Sequence, residues 1–404
     1  MTTRVAPLRG ACARRGVARR LLGPALSLVA GGLLAGCATV TEYFGDEPTT
    51  EPPAPLPEFE PRLDVATLWS RRVGSGMSKQ YLALIPAVDG GRVYAADLEG
   101  EVEAIDAASG DVIWSVDLDV PASGGPGVGE GLVLVGTGNG EVLALAAADG
   151  ALVWRTRVSS EVLAPPLAAR GIVVVRTGDG KIVGLSVGDG SRLWVYDRTV
   201  PALTLRGTST PALVGDGVVA GFDSGRLVAL TIADGQAAWE ATVAVPRGRS
   251  ELERMVDIDA DPLVVGNVVY TVTYQGQLAA LDLASGSVLW RREMSAHSGF
   301  AADDANLYLT DATSHVWAME RTSGASVWRQ TRLERRDLTA PAVIGRHLAV
   351  ADFEGWVHWL RAEDGEIVAR VDVGDAVIAR PVASDGVLFV YERDGTLTAL
   401  RPAP

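Results

Sequence analysis

The sequence predicts an all-β chain, an eight-bladed β-propeller of four-stranded antiparallel blades whose ring is closed by an N-terminal strand around Trp69. Three observations carry the prediction. A motif with a period of about 40 residues recurs along most of the chain, and self-similarity at that spacing marks propellers and solenoids. Seven copies run to completion, whereas an eighth stops at Leu400 before its last strand. An orphan segment, Leu68-Trp69-Ser70, precedes the first full copy and belongs to none. One N-terminal and three C-terminal strands make a whole blade, and radial closure protects the sheet edges. An open solenoid would not need complementary ends.

Each copy contains the same elements. The clearest runs from Glu99 to Trp114, and its counterparts occupy residues 139–154, 179–194, 224–239, 275–290, 313–328 and 354–369, with a truncated copy at 394–400. A glycine makes a tight turn, an alternating run such as Val142-Leu143-Ala144-Leu145 makes a strand, and a second glycine turn leads into a strand that closes on tryptophan. Two further strands lie upstream, opened by a proline and continued by a β-branched run, as in Pro166-Leu167 followed by Ile172-Val173-Val174-Val175. These prolines fall at 86, 126, 166, 211, 262, 341 and 381, and the copy near Phe300 lacks one. The pairs Asp149-Gly150, Asp189-Gly190 and Asp234-Gly235 are what tight hairpins require, and are read as turns rather than calcium loops.

Residues 1–36 read as a secretory signal. Six arginines (4, 9, 14, 15, 19 and 20) precede an apolar stretch from Leu21 to Leu34, too short to cross a hydrocarbon core of about 30 Å. The stretch ends in Leu34-Ala35-Gly36-Cys37, which resembles the bacterial lipobox. That resemblance implies a lipidated Cys37 as the first residue of the mature chain. Ala38, where an aspartate would signal inner-membrane retention, implies anchoring at the periplasmic face of the outer membrane. Residues 37–62 read as a tether, because from Thr41 to Arg62 six prolines alternate with six acidic residues in a composition that stays extended and solvated. Residues 63–404 form the propeller.

Composition narrows the function. Hydrophobic residues at 48% with 46 glycines exclude global disorder. Outside the signal, 30 basic residues face 50 acidic ones, a balance that disfavours a nucleic-acid partner. Cys12 and Cys37 are the only cysteines, so no disulfide framework or cysteine metal site is expected. Histidines 297, 315, 347 and 358 lack a metal-ligand spacing, and no G-x-S-x-G motif sits at a strand-to-helix turn. The expectation is a chain without catalytic residues, cofactor or metal.

The repeat G-x-V-x-A-L-D-x-x-x-G-x-x-x-W resembles that of the pyrroloquinoline quinone enzyme superfamily. In that superfamily the tryptophan docks between neighbouring blades, which assigns the role to Trp69, Trp114, Trp154, Trp194, Trp239, Trp290 and Trp328. Ala369 would mark a weaker junction, and Trp317, Trp356 and Trp359 would pack within blades six and seven. The related dehydrogenases use an adjacent cysteine pair, a catalytic aspartate and a Glu/Asn metal site, and no Cys-Cys follows the signal here. A quinone-dependent dehydrogenase and a general periplasmic ligand-binding propeller are the rival readings.

Departures from the repeat locate the binding function, because a repeat architecture carries its insertions in loops on one face. From docking tryptophan to the next strand-opening proline the spacing is 12 residues in blades one and two, but 17 from Trp194 to Pro211 and 23 from Trp239 to Pro262. The first long loop reads Val200-Pro201-Ala202-Leu203-Thr204-Leu205-Arg206-Gly207; the second, Arg247 to Asp259, has room for a short helical turn before two aspartates. Leucines rimmed by fixed charge form an interaction patch. With the lipobox and the propeller, the strings L-T-L-R-G and S-E-L-E-R-x-x-D-I-D-x-x-P resemble the BamB family of β-barrel assembly lipoproteins over essentially the whole mature chain. The resemblance implies docking on the POTRA domains of a BamA-type barrel subunit through Leu203, Leu205, Arg206, Asp257 and Asp259. It also implies a role in folding and inserting outer-membrane β-barrels, which are themselves candidate partners. Arg206 either faces the partner or braces the loops by pairing with Asp257 or Asp259.

Overall fold

The computed structural model describes residues 51–403 apart from 78–83, 199–200, 202, 205–206, 248, 251, 275 and 297. The signal, Cys37 and most of the tether lie outside the described residues, as do Leu205 and Arg206. Residues from Pro53 onward form one compact unit.

Eight four-stranded sheets follow one another, and each is antiparallel in simple sequential order. Blades one to seven span residues 87–117, 122–157, 167–197, 212–242, 263–293, 300–330 and 342–372. Blade eight joins 382–402 to the N-terminal strand Val65–Arg72, which pairs with Thr396–Pro402 and sets Trp69 opposite Ala399. The ring therefore closes as the sequence predicts. Blades stack face to face, so the second and third strands are covered on both sides and read as near-continuous apolar runs such as Ile172–Arg176, buried throughout. The alternation of strand direction puts every fourth-to-first loop and every second-to-third hairpin on one face of the ring, here the upper face.

The blades are joined by a recurrent hydrogen bond. Each of Trp69, Trp114, Trp154, Trp194, Trp239, Trp290 and Trp328 donates its indole N–H to a backbone carbonyl of the next blade at 2.7–3.1 Å. On the neighbouring strand of its own blade every one of them faces a small residue: Ala399, Ala104, Ala144, Gly184, Ala229, Ala280 and Ala318 respectively. Blade seven inverts the pair. There Trp359 on the third strand faces Ala369 on the fourth, and Trp359 is fully buried with Leu388, Val390 and Leu400 of blade eight. The junction expected to be weak at Ala369 is thus filled from the adjacent strand, because the pair conserves its volume with the two side chains exchanged.

A second departure concerns the tether. Residues 54–63 lie on blade seven instead of extending into solvent: the N–H of Ala54 bonds the Glu334 carbonyl, and those of Arg62 and Leu63 both reach the Val368 carbonyl. Proline and glutamate supply no intrinsic structure, but they leave backbone carbonyls free, and arginines from the loop between blades six and seven and from blade seven collect them.

Candidate docking surface

Both long loops emerge on the upper face, on either side of blade four. In the first, Leu203 is 43% exposed. The second carries Val245 and Leu252 at 61% and 59% exposure, then turns inward through Met255, Val256 and Ile258, all buried. Its expected helical turn is a single 3-10 turn, Leu252–Arg254. A capping box starts it, with Ser250 Oγ accepting from the Glu253 N–H at 3.2 Å while the Glu253 carboxylate accepts from the N–H groups of Arg249 and Ser250.

The inward turn decides where the two aspartates lie. Asp257 is 1% exposed, and its carbonyl accepts the Tyr274 N–H at 2.9 Å. Asp259 is mostly buried and touches the first loop at Gly207, where a Cβ would stand 3.3 Å from its carboxylate. Two residues on, Asp261 ties the loop ends together by accepting the Thr210 N–H at 2.6 Å, and its other oxygen meets Arg380, in the loop leading into blade eight, at 3.4 Å. The aspartates are therefore the floor of the site, while Leu203 is its exposed rim.

A cation that sequence reasoning missed faces that floor. Arg176, 1% exposed at the end of the second strand of blade three, bonds Asp223 at 3.2 Å and lies 4.4 Å over the Phe222 ring. Burial pulls its guanidinium below the usual range, against the opposing charges of Asp223, Asp259 and Asp179. The available signal was a lone arginine closing an otherwise apolar run, Ile172-Val173-Val174-Val175-Arg176. Where Arg206 points, toward a partner or toward these carboxylates, falls outside the described residues.

Burial, with the nearby charges of Asp257 and Asp223, pushes the Asp259 carboxyl up to about 7, with Arg176 opposing. The folded chain then holds this proton up to about pH 7, whereas an unfolded aspartate releases it near 3.8, so stability falls as pH rises between those values. Glu392, raised to about 7 chiefly by burial, contributes with the same sign. We expect the melting temperature of the wild type to drop from pH 5 to pH 8, and Asp259→Asn to flatten that slope and melt higher than wild type at pH 8. Thermal unfolding across the pH series checks this; a slope unchanged by Asp259→Asn would contradict it.

At the axis, an apolar cavity of about 440 Å³ is lined by the strand-opening prolines Pro86, Pro126, Pro341 and Pro381 and by Pro165. Arg380 also lines it. Among the described residues no group of three or more His, Cys, Asp or Glu side chains converges as metal ligands.

Comparison with known proteins places the chain. The family model described as outer membrane protein assembly factor BamB matches residues 64–117, 98–330 and 324–403. The chain belongs to the BamB family. The outer membrane protein assembly factor BamB of Alkalilimnicola ehrlichii is 58% identical over 336 residues, covering 83% of this chain and 88% of that protein. The crystal structure of BamB from Moraxella catarrhalis superposes with a TM-score of 0.78 at 28% identity, over 84% of this chain and all of that one. A quinohemoprotein alcohol dehydrogenase from Comamonas testosteroni, at 15% identity and a TM-score of 0.66 over 83% of this chain and 76% of its own, shares the fold alone. As in the BamB family, the chain is a propeller of quinone-type repeats associated with assembly of outer-membrane proteins.

Proposed function

We propose that the chain is a non-catalytic scaffold, lipid-anchored through Cys37 at the periplasmic face of the outer membrane, that docks on the POTRA domains of a BamA-type subunit and so assists folding and insertion of β-barrel proteins. The observation that carries the docking reading is the division of labour in the paired loops. Leu203 is presented to solvent on a base made rigid by the Asp261–Thr210 bond and by the buried segment Met255–Ile258. An apolar anchor held by a fixed frame loses little entropy on binding. Leu205 and Arg206 neighbour Leu203 in sequence and are proposed to contact the partner with it, and Asp257 and Asp259 shape the loop pair from beneath.

Because Leu203 is exposed, Leu203→Ala should leave the unfolding midpoint unchanged while weakening partner binding by about 1 kcal/mol, roughly fivefold. Titration calorimetry with the partner's POTRA domains checks it, and undiminished affinity would remove Leu203 from the interface. The anchor is tested separately: Cys37→Ser should release the protein from membranes or block its processing.

A further inference from the structure

The bulged residue on the fourth strand shows how blade seven differs from the rest. In blades one, two, three, five and six this residue is Ile113, Val153, Leu193, Leu289 and Val327, and each is 41–55% exposed. On blade seven it is Val368, which is 3% exposed. What covers it is the chain's own residues 54–63.

The cover is held along its length. Near its start Ala54 is paired in both senses, its N–H to the Glu334 carbonyl at 3.0 Å and its carbonyl to Arg336 Nη1 at 3.1 Å. In the middle, Arg370 donates to the Pro57 carbonyl at 2.7 Å, Arg332 donates to the Glu58 carbonyl, and the Phe59 ring lies 5.0 Å from the Arg370 guanidinium. At the far end, Arg62 meets Glu366 at 3.1 Å beside the two backbone bonds to Val368. Glu334 is in a fourth-to-first loop on the upper face, whereas Glu366 and Val368 begin the fourth strand at the opposite face. The segment therefore runs down the outside of blade seven from the upper face to the lower one, then enters Val65–Arg72.

We infer that residues 53–63 are a docked strap that moves the departure point of the anchored N-terminus to the upper face, the one that carries the paired loops, and shortens its reach. The inference rests on the anchor reading for its membrane consequence. Without the strap, the chain would leave near Leu63 on the lower face, with 25 residues (38–62) between anchor and propeller, at most about 85 Å of extended chain. With it, 15 residues (38–52) remain, at most about 50 Å. The strap thus confines the propeller close to the bilayer with its loop face nearest the attachment point.

Hydrogen exchange on the full chain in detergent reads the strap independently of any anchor. The amides of Ala54, Arg62 and Leu63 should exchange at least about tenfold more slowly than open chain. Phe59→Ala with Arg332→Ala should release them while the blade-seven amides of Ala351 and Arg361 stay protected. Open-chain rates in the wild type, or strap amides unaffected by the double variant, would overturn the inference. Phe59→Ala alone alters only the strap, so its result stands even if a substitution in the blade perturbs folding. Reach is tested in cells by deleting residues 41–48, which leaves a docked tether of seven residues, about 25 Å. Co-isolation with the barrel-assembly partner should fall severalfold, and adding Phe59→Ala with Arg332→Ala should restore it. A deletion without effect, or one that release of the strap fails to rescue, would refute the shortened reach. If Cys37→Ser stayed on membranes while strap protection persisted, the anchor reading would fail and the docked strap would remain.

Discussion

Trp194→Ala is expected to destabilise the protein by about 3–5 kcal/mol, the range for deleting a large buried aromatic. Its indole is 9% exposed, packs with Val218, Ala220 and Val228 of blade four, and donates to the Ile232 carbonyl at 2.9 Å. The joint also depends on Gly235, whose φ is +70° and whose added Cβ would fall 2.4 Å from the Trp194 ring. Gly235→Ala should therefore be strongly destabilising through a clash and a left-handed backbone together. Gly215 in the same blade has φ +53° with open space around it, so Gly215→Ala carries only the backbone cost of about 1–2 kcal/mol. Urea unfolding of the three variants separates the terms. A Trp194→Ala loss below about 1 kcal/mol, or equal losses at the two glycines, would show that inter-blade docking does not hold the ring together.

Asp352→Ala should cost a comparable 3–5 kcal/mol, because it strands buried partners rather than because an ion pair is intrinsically stabilising. The Asp352 carboxylate, 0% exposed, accepts from Arg336 Nε at 2.7 Å and His358 Nε2 at 2.9 Å with one oxygen, and from the N–H groups of Glu354 and Trp356 with the other. Burial alone would raise this carboxyl, but the hydrogen bonds from His358 and Arg336 outweigh it and hold it below the usual range. Burial lowers His358, which is thus neutral at pH 7 and accepts at Nδ1 from Arg370 Nε at 3.3 Å. The sign of the pH effect is opposite to that of Asp259. A depressed carboxylate contributes fully above its unfolded pKa, and the contribution is lost as pH falls through the folded value. Asp352→Ala should accordingly flatten the acid limb of the stability profile as well as lower the plateau; denaturant titrations at pH 3–7 check both, and a wild-type-like acid limb would contradict the account.

The ring was legible because its determinants are local and repeated: glycine turns, alternating strands and a closing tryptophan recur in register, and the orphan Trp69 segment supplies the strand the last copy lacks. Three features were not legible, each because its determinants lie on more than one element. The exchange of Trp359 with Ala369 conserves volume across two strands, so a motif read along one strand sees only a missing tryptophan. The strap is held through backbone carbonyls by arginines more than 270 positions away, and a proline- and glutamate-rich composition carries no trace of such donors. Arg176 of blade three meets Asp223 of blade four and faces Asp259 of the second loop only because successive blades pack side by side. The loop motifs themselves were visible, but their division into an exposed leucine rim and a buried aspartate floor follows from Met255, Val256 and Ile258 turning the second loop inward.

The central claim is that the paired loops on the upper face are the docking surface. Calorimetric titration of the full chain with the POTRA domains of the proposed BamA-type partner tests it most directly, comparing wild type with the combined Leu203→Ala, Leu205→Ala and Arg206→Ala variant. The account predicts a loss of about 3 kcal/mol, roughly a hundredfold in Kd, with the unfolding midpoint of the isolated variant held near that of the wild type. An unchanged Kd in a folded triple variant would place the docking surface elsewhere on the propeller.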